Sequence, residues 1–211
     1  VDFDPFISTT DLEAILDVTL ADPNALSVKI ALDSACTAVR TYIGQDINLV
    51  EDDVEVRSGS GRRKLRLRQR PVREVSAVYI DDELVPAEDY KVRGTPGVVT
   101  MINGSWWTPG DDNVEITYTH GWDLTEESDM SVPSDIRIVA LNMARRVWLD
   151  IGSELSGAIV SETIGDYAYE LSDASVQASA AAAQLSTAEQ YMLDPWRVEL
   201  VGDTPTQYSI R

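Results

Sequence analysis

The residues best suited to chemistry are few and scattered. His120 is the only histidine and Cys36 the only cysteine. A zinc site needs several Cys or His ligands at set spacing, and this pair cannot build any of the common sets. His120 therefore reads as a histidine of a turn or strand end. The acidic groups Glu51-Asp52-Asp53, Asp81-Asp82 and Asp111-Asp112 could suggest calcium, but none follows the D-x-D-x-D-G order of a calcium loop, and each falls in a predicted turn. "SGSGRRK" (58–64) has the glycines of a phosphate loop without the closing G-K-[ST]. It also precedes a strand, so no helix N-terminus would meet the phosphates. Nothing singles out two carboxylates for glycoside hydrolysis. The sequence thus assigns no catalytic, metal-binding or cofactor-binding residue and no cofactor, and it reads as a non-enzyme.

The basic residues are more informative. Arg62, Arg63, Lys64, Arg66, Arg68, Arg70 and Arg73 make seven of the seventeen Lys and Arg residues. Two readings stand side by side: a solvated strand face, or a docking surface for an acidic partner such as a second copy of the chain. Trp106 and Trp107 likewise read as sheet packing or, in an alternative function, as the stacking platform of an acidic β-containing module that recognises a glycan or cell surface. Near the C-terminal quarter, "SETIGDYAYELSD" (161–173) combines one glycine with Tyr167 and Tyr169 at alternate positions, which puts both rings on one face of a strand.

These residues sit in a chain of 211, long enough for one core or a core plus a second layer. Thirty-six acidic residues against seventeen basic give a net charge of −19 and a pI near 4.2. Such a surface repels phosphate backbones, which argues against gripping nucleic acid but does not exclude a surface that DNA must slide past without sticking. One cysteine excludes an intrachain disulfide. No apolar run approaches a membrane span, and residues 1–10 lack the pattern of a signal peptide, so a soluble protein of a reducing compartment is expected.

The periodicity predicts an α+β protein: a helical bundle with an inserted small antiparallel β domain and an extended C-terminal tail. Thr10 to Glu13 fits a capping box opening a first helix. Asp22-Pro23 starts a second, whose stripe of Leu26, Ile30, Ala35, Val39 and Ile43 stops at Gly44. "KLRLR" (64–68) then alternates, with Leu65 and Leu67 opposite Lys64, Arg66 and Arg68. "VSAVYI", "DYKV", "GVVTMI" and "VEITYT" follow between turn clusters. Helical spacing returns at Pro133, with Ile136, Val139, Ala140, Met143 and Val147 inward and Gly152 as the stop. Ala174–Gln184 is small and low in complexity. Ser186 to Glu189 forms another capping box, Asp194-Pro195 ends its helix, and the rest is tail. Domain limits are expected at 1–50 with 129–196 for the bundle, 51–128 for the β domain and 197–211 for the tail.

In this order, "ALDSACTAVRTYIGQDI", "LRLRQRPVREVSAVYIDDELVPAEDYKV", "VEITYTHGW", "VPSDIRIVALNMARRVW" and "SETIGDYAYE" resemble the head-to-tail adaptor (head completion, connector) proteins of long-tailed bacteriophages, over nearly the whole chain. The resemblance implies a structural virion protein at the head–tail interface, made in the host cytoplasm. It implies a ring, commonly dodecameric, beneath the portal protein, which extends the DNA channel and receives stopper or tail proteins. DNA would pass without specific binding, and no membrane would be involved. Lys64, Arg66, Arg68, Tyr167 and Tyr169 are then expected at the subunit interface, and Trp196, Arg197, Tyr208, Ile210 and Arg211 at the portal.

Overall fold

The computed structural model describes residues 4–22, 25–124, 131–159 and 184–198. Its chain forms two compact units, Val1–Ile43 with Val132–Arg197, and Gly44–Ser131 with Val198–Arg211. The first is helical, the second is built of strands, and the protein is α+β.

The helical unit begins with α1 (Thr9–Leu16). Its capping box lies two residues before the expected one. The Ser8 hydroxyl accepts from the Asp11 N–H at 3.1 Å, and Asp11 accepts from the Ser8 N–H at 2.9 Å. Phe6 and Ile7 are buried just before the cap and hold the chain there. Glu13, expected to close the box, instead accepts from the Leu20 N–H at 2.8 Å. Helix α2 (Leu26–Ile43) buries Val28, Ala31, Leu32, Ala35, Cys36, Val39 and Ile43. Leu26 and Ile30, expected in that stripe, are exposed. Small residues at 31, 35 and 36 let the backbone pack closely, so the buried face turns toward them. Gly44 ends the helix in the left-handed region, as its position predicts. Asp22 is described but Pro23 lies outside the described residues.

Helix α3 (Ser134–Ile159) buries Ile136, Val139, Ala140, Met143 and Ala144. It passes through Gly152, the expected stop, because one interior glycine costs only about 1 kcal/mol relative to alanine. Helix α4 (Thr187–Leu193) opens with the predicted Ser186–Glu189 box and runs into a 3-10 turn at Asp194–Trp196. Two ion pairs tie these helices: Arg137 with Asp11, and Arg146 with Glu189, the latter bidentate at 2.6 and 3.1 Å. Tyr42 donates to Asp194 at 2.7 Å.

The β unit has seven strands: β1 (Val50–Gly59), β2 (Lys64–Arg66), β3 (Val72–Ile80), β4 (Glu83–Leu84), β5 (Tyr90–Arg93), β6 (Val98–Met101) and β7 (Gly110–His120). They form a four-stranded sheet, β1-β7-β3-β4, and a three-stranded sheet, β2-β6-β5, with all pairs antiparallel. Leu65, Leu67 and Val99 on the smaller side meet Val78, Val114, Ile116 and Tyr118 on the larger in one core, with Trp107 fully buried among them. Asp81 and Asp82 both take positive φ at the β3–β4 hairpin, which is the backbone twist a two-residue turn requires. At Gly121, with φ near +90°, a Cβ would stand 2.1 Å from the Asn48 carbonyl oxygen, so this close approach admits only glycine.

The ion pairs of the helical unit make its stability depend on pH. Burial works to raise the Asp11 and Glu189 carboxyls, but Ser8 and Arg137, and Arg146 and Ser186, outweigh it, and both lie below the usual range. A lowered folded value means that the contribution is full above the unfolded carboxylate pKa, near 4, and is lost as pH falls through the lower folded value. Thermal melts of the helical signal should therefore drop in temperature between about pH 5 and about pH 2. Arg146→Met should remove part of that dependence and cost about 1 kcal/mol at neutral pH, a figure discounted because the pair is partly exposed. An unchanged pH profile in the variant would show that the Arg146–Glu189 pair does not set the pH dependence.

Candidate functional site

The groups with chemical potential are used internally. His120 is fully buried, its Nε2 3.2 Å from Asp53 and its ring 5.2 Å from that of Tyr118. Burial lowers its pKa despite the neighbouring carboxylates, so it is held neutral. The Tyr118 hydroxyl donates to Glu55 at 2.6 Å, and burial followed by that carboxylate pushes its pKa far up. Glu55 is itself buried and also accepts the Arg68 backbone N–H at 3.0 and 3.3 Å, with Arg57 at 3.5 Å. Cys36 is buried in the helical unit, where desolvation pushes its thiol up to about 11, far from a working nucleophile. Among the described residues no group of His, Cys, Asp and Glu could hold a metal ion, and no helix is long and apolar enough to cross a membrane.

What the β unit presents outward is different. Strand β2 is three residues long, and its alternation is as the sequence predicts: Leu65 and Leu67 are buried, while Lys64, Arg66 and Arg68 are exposed. The register of the smaller sheet adds two cations that sequence reasoning missed. Lys64 and Lys91 both pair with Thr100, and Arg66 and Arg93 both pair with Val98. Side chains in register share a face, so Lys64, Arg66, Lys91 and Arg93 stand on the two edges of one sheet surface with Thr100 and Val98 between them. Strand spacing puts the two rows of cations about 10 Å apart. None of these four, nor Arg68, has an ion pair with a described residue. The available signal was the alternation "KVR" around Val92; without the register nothing linked it to "KLR".

The tryptophans separate. Trp107 is fully buried, whereas Trp106 is 57% exposed with the Arg63 guanidinium 5.4 Å from its ring centre. A paired stacking platform is therefore not formed, because one ring is needed to fill the core, and the glycan-binding alternative loses its site. Trp196 closes the 3-10 turn after α4, and Arg197 lies over the Tyr42 ring at 5.2 Å. Tyr208, Ile210, Arg211, Tyr167 and Tyr169 lie outside the described residues, as do 174–183 and the tail beyond Val198.

His120, Tyr118, Glu55 and Cys36 are thus held inside the fold, while cations without an ion pair among the described residues stand on an open sheet face. A model of the family described as head completion protein matches residues 5–146, and the chain belongs to that family. It is a structural protein of the virion, joining head and tail. No curated protein matches it. Solved structures of a gene transfer agent resemble it over nearly its whole length. One chain from the neck of the empty particle, computed with C6 symmetry, is 16% identical with a TM-score of 0.48, covering 97% of both chains. One from the neck of the native particle, computed with C12 symmetry, is 16% identical with a TM-score of 0.44 and the same coverage. One from the native virion is 14% identical with a TM-score of 0.50, covering 96% of both chains. The last of these, at 14% identity and a TM-score of 0.50, speaks for the fold alone.

The Glu55 network orients the strand segment that carries the basic face, and removing its shortest bond tests its weight. Tyr118→Phe keeps the ring and deletes one bond to a buried carboxylate, so urea unfolding should show a loss of about 2 kcal/mol. A loss below roughly 0.5 kcal/mol would mean that water or Arg57 replaces the hydroxyl at no cost.

Proposed function

We propose that the protein is the head-to-tail adaptor of its particle, a non-enzymatic ring beneath the portal that extends the DNA channel and receives the stopper or tail. In this reading the helical unit is a bundle, the β unit is a domain inserted into it, and the residues after Arg197 form an extended tail. No cofactor or membrane takes part. The observation that carries the reading is the family match across 5–146, the stretch that contains all seven strands and the start of α3. The chain of the native gene transfer agent virion, at a TM-score of 0.50, supports the fold that this reading uses.

The charge fits that role. A dozen copies at −19 each would bring roughly 230 negative charges around a channel, a field that keeps DNA from adhering as it passes. The same field opposes assembly, and exposed cations on one sheet would offset part of it. Lys64, Arg66 and Arg68 are accordingly assigned to the subunit interface, with Tyr167 and Tyr169 as further contacts. Trp196, Arg197, Tyr208, Ile210 and Arg211 are assigned to the portal, the alternation in "TQYSIR" suiting strand addition to a partner's sheet edge.

Two experiments check these assignments. Charge reversal at Arg66 and Arg68 should leave circular dichroism unchanged while lowering ring yield and making assembly more sensitive to salt; undiminished rings would reduce this face to a solvated one. Truncation after Val198 spares the stacking of Arg197 on Tyr42. It should give a folded protomer that no longer co-sediments with portal, and normal co-sedimentation would refute the docking role of Tyr208, Ile210 and Arg211.

A further inference from the structure

The acidic residues of the β unit are as unevenly placed as the basic ones. The Asp81 N–H donates to the Asn113 carbonyl at 2.8 Å, which brings the β3–β4 turn beside the start of β7. Asp81, Asp82 and Glu83 on the turn and Asp111 and Asp112 on β7 therefore gather at one tip of the four-stranded sheet, and all five are exposed. Asp111 and Asp112 accept from the Ser58 hydroxyl, but none of the five has an ion pair with a described residue. One unit thus carries, on different sheets, a tip of five unpaired anions and a face of unpaired cations formed by Lys64, Arg66, Lys91 and Arg93.

We infer that the acidic tip of one copy docks on the basic face of the three-stranded sheet of the next. The inference rests on the ring reading and deepens it by naming both halves of a contact. Two different, mutually complementary patches on one chain make a head-to-tail interface, the kind that closes into a ring when the rotation allows. Chains of net charge −19 repel one another at long range, so association needs opposite charges placed locally. The exposed Trp106–Arg63 stack borders the same face, since the Met101 N–H donates to the Arg63 carbonyl beside Lys64. Trp and Arg are among the residue types that most often anchor protein contacts. A DNA duplex is the other polyanion the face could take. The chain's overall charge disfavours it, because a duplex reaching these four cations must also approach the acids around them.

The lysine content makes a direct test available. The chain has three lysines, Lys29, Lys64 and Lys91, and two of them stand on this face. Full-length protein grown in light and heavy nitrogen is mixed, treated with a carbodiimide that joins amines to touching carboxylates, and digested for mass mapping. Links of mixed isotope should join Lys64 or Lys91 to 81–83 or 111–112, with Lys29, exposed on α2, as the internal control. They should vanish at about 1 M salt, where screening reaches within roughly 3 Å. Lys91→Glu with Arg93→Glu should reduce them several-fold, as should Glu83→Lys with Asp111→Lys. An equimolar mixture of the two double variants should form the reversed link. It would run from the lysine introduced at position 83 or 111 of one to the glutamate introduced at position 91 or 93 of the other, which a misfolded variant could not do. Mixed-isotope links confined to other residues, or none at all, would overturn the contact. So would tight binding of a labelled DNA duplex that the Lys91→Glu, Arg93→Glu variant loses. Electron micrographs separate the levels: rings in this sample with links elsewhere refute this contact alone, whereas necks of whole particles devoid of a ring of this protein refute the ring itself.

Discussion

A buried carboxylate holds the two sheets of the β unit together. Glu55 lies on β1, an edge strand of the larger sheet, and its oxygens take the Tyr118 hydroxyl from β7 and the backbone N–H of Arg68 beyond β2. Burying that charge would cost several kcal/mol if it stood alone. These donors, with Arg57 nearby, offset the cost, and the geometry they demand fixes the chain at 67–68. Leu67 is thereby turned into the core, and Lys64, Arg66 and Arg68 are turned out. The basic face exists because an acid inside the fold anchors the segment that carries it.

The same strand explains where sequence reasoning stopped. Strand β1 is inverted: Asp53, Glu55 and Arg57 point inward, while Val54 and Val56 are about half exposed. An alternation rule that puts apolar residues inside assigns it the wrong face, and a hydrophobic count sees no strand there. The alternation over 64–68 was legible, with Leu65 and Leu67 facing the core although strand β2 itself stops at Arg66, and so was the capping box at Ser186. The α1 cap and the exposed start of α2 were misplaced for a related reason, since which of several small or polar residues wins is decided by packing from elsewhere in the chain. Lys91 and Arg93 were invisible as partners of Lys64 and Arg66 because cross-strand register is a property of the whole sheet. The family resemblance, carried by the order of motifs, reached further than any one of them.

Seen together, the parts divide the work of a junction protein by charge. Ionisable groups inside each unit are paired or held neutral and set its shape: Asp11 with Arg137, Glu189 with Arg146, His120 beside Asp53. The surplus negative charge is left on the surface, where, in the ring proposed above, it would suit passage of DNA. Lys64, Arg66, Lys91 and Arg93, which have no ion pair with a described residue, stand together on one small sheet, where a uniform acidic coat would otherwise keep copies apart.

The most direct test of this account is a cryo-electron microscopy reconstruction of the particle's neck, with the chain fitted by its β unit and the long α3. The account predicts a closed ring of this protein at the head–tail junction, around the DNA path, with the three-stranded sheet of each copy facing its neighbour. Density for the chain elsewhere in the particle, or at the neck as isolated copies without lateral contact, would contradict it.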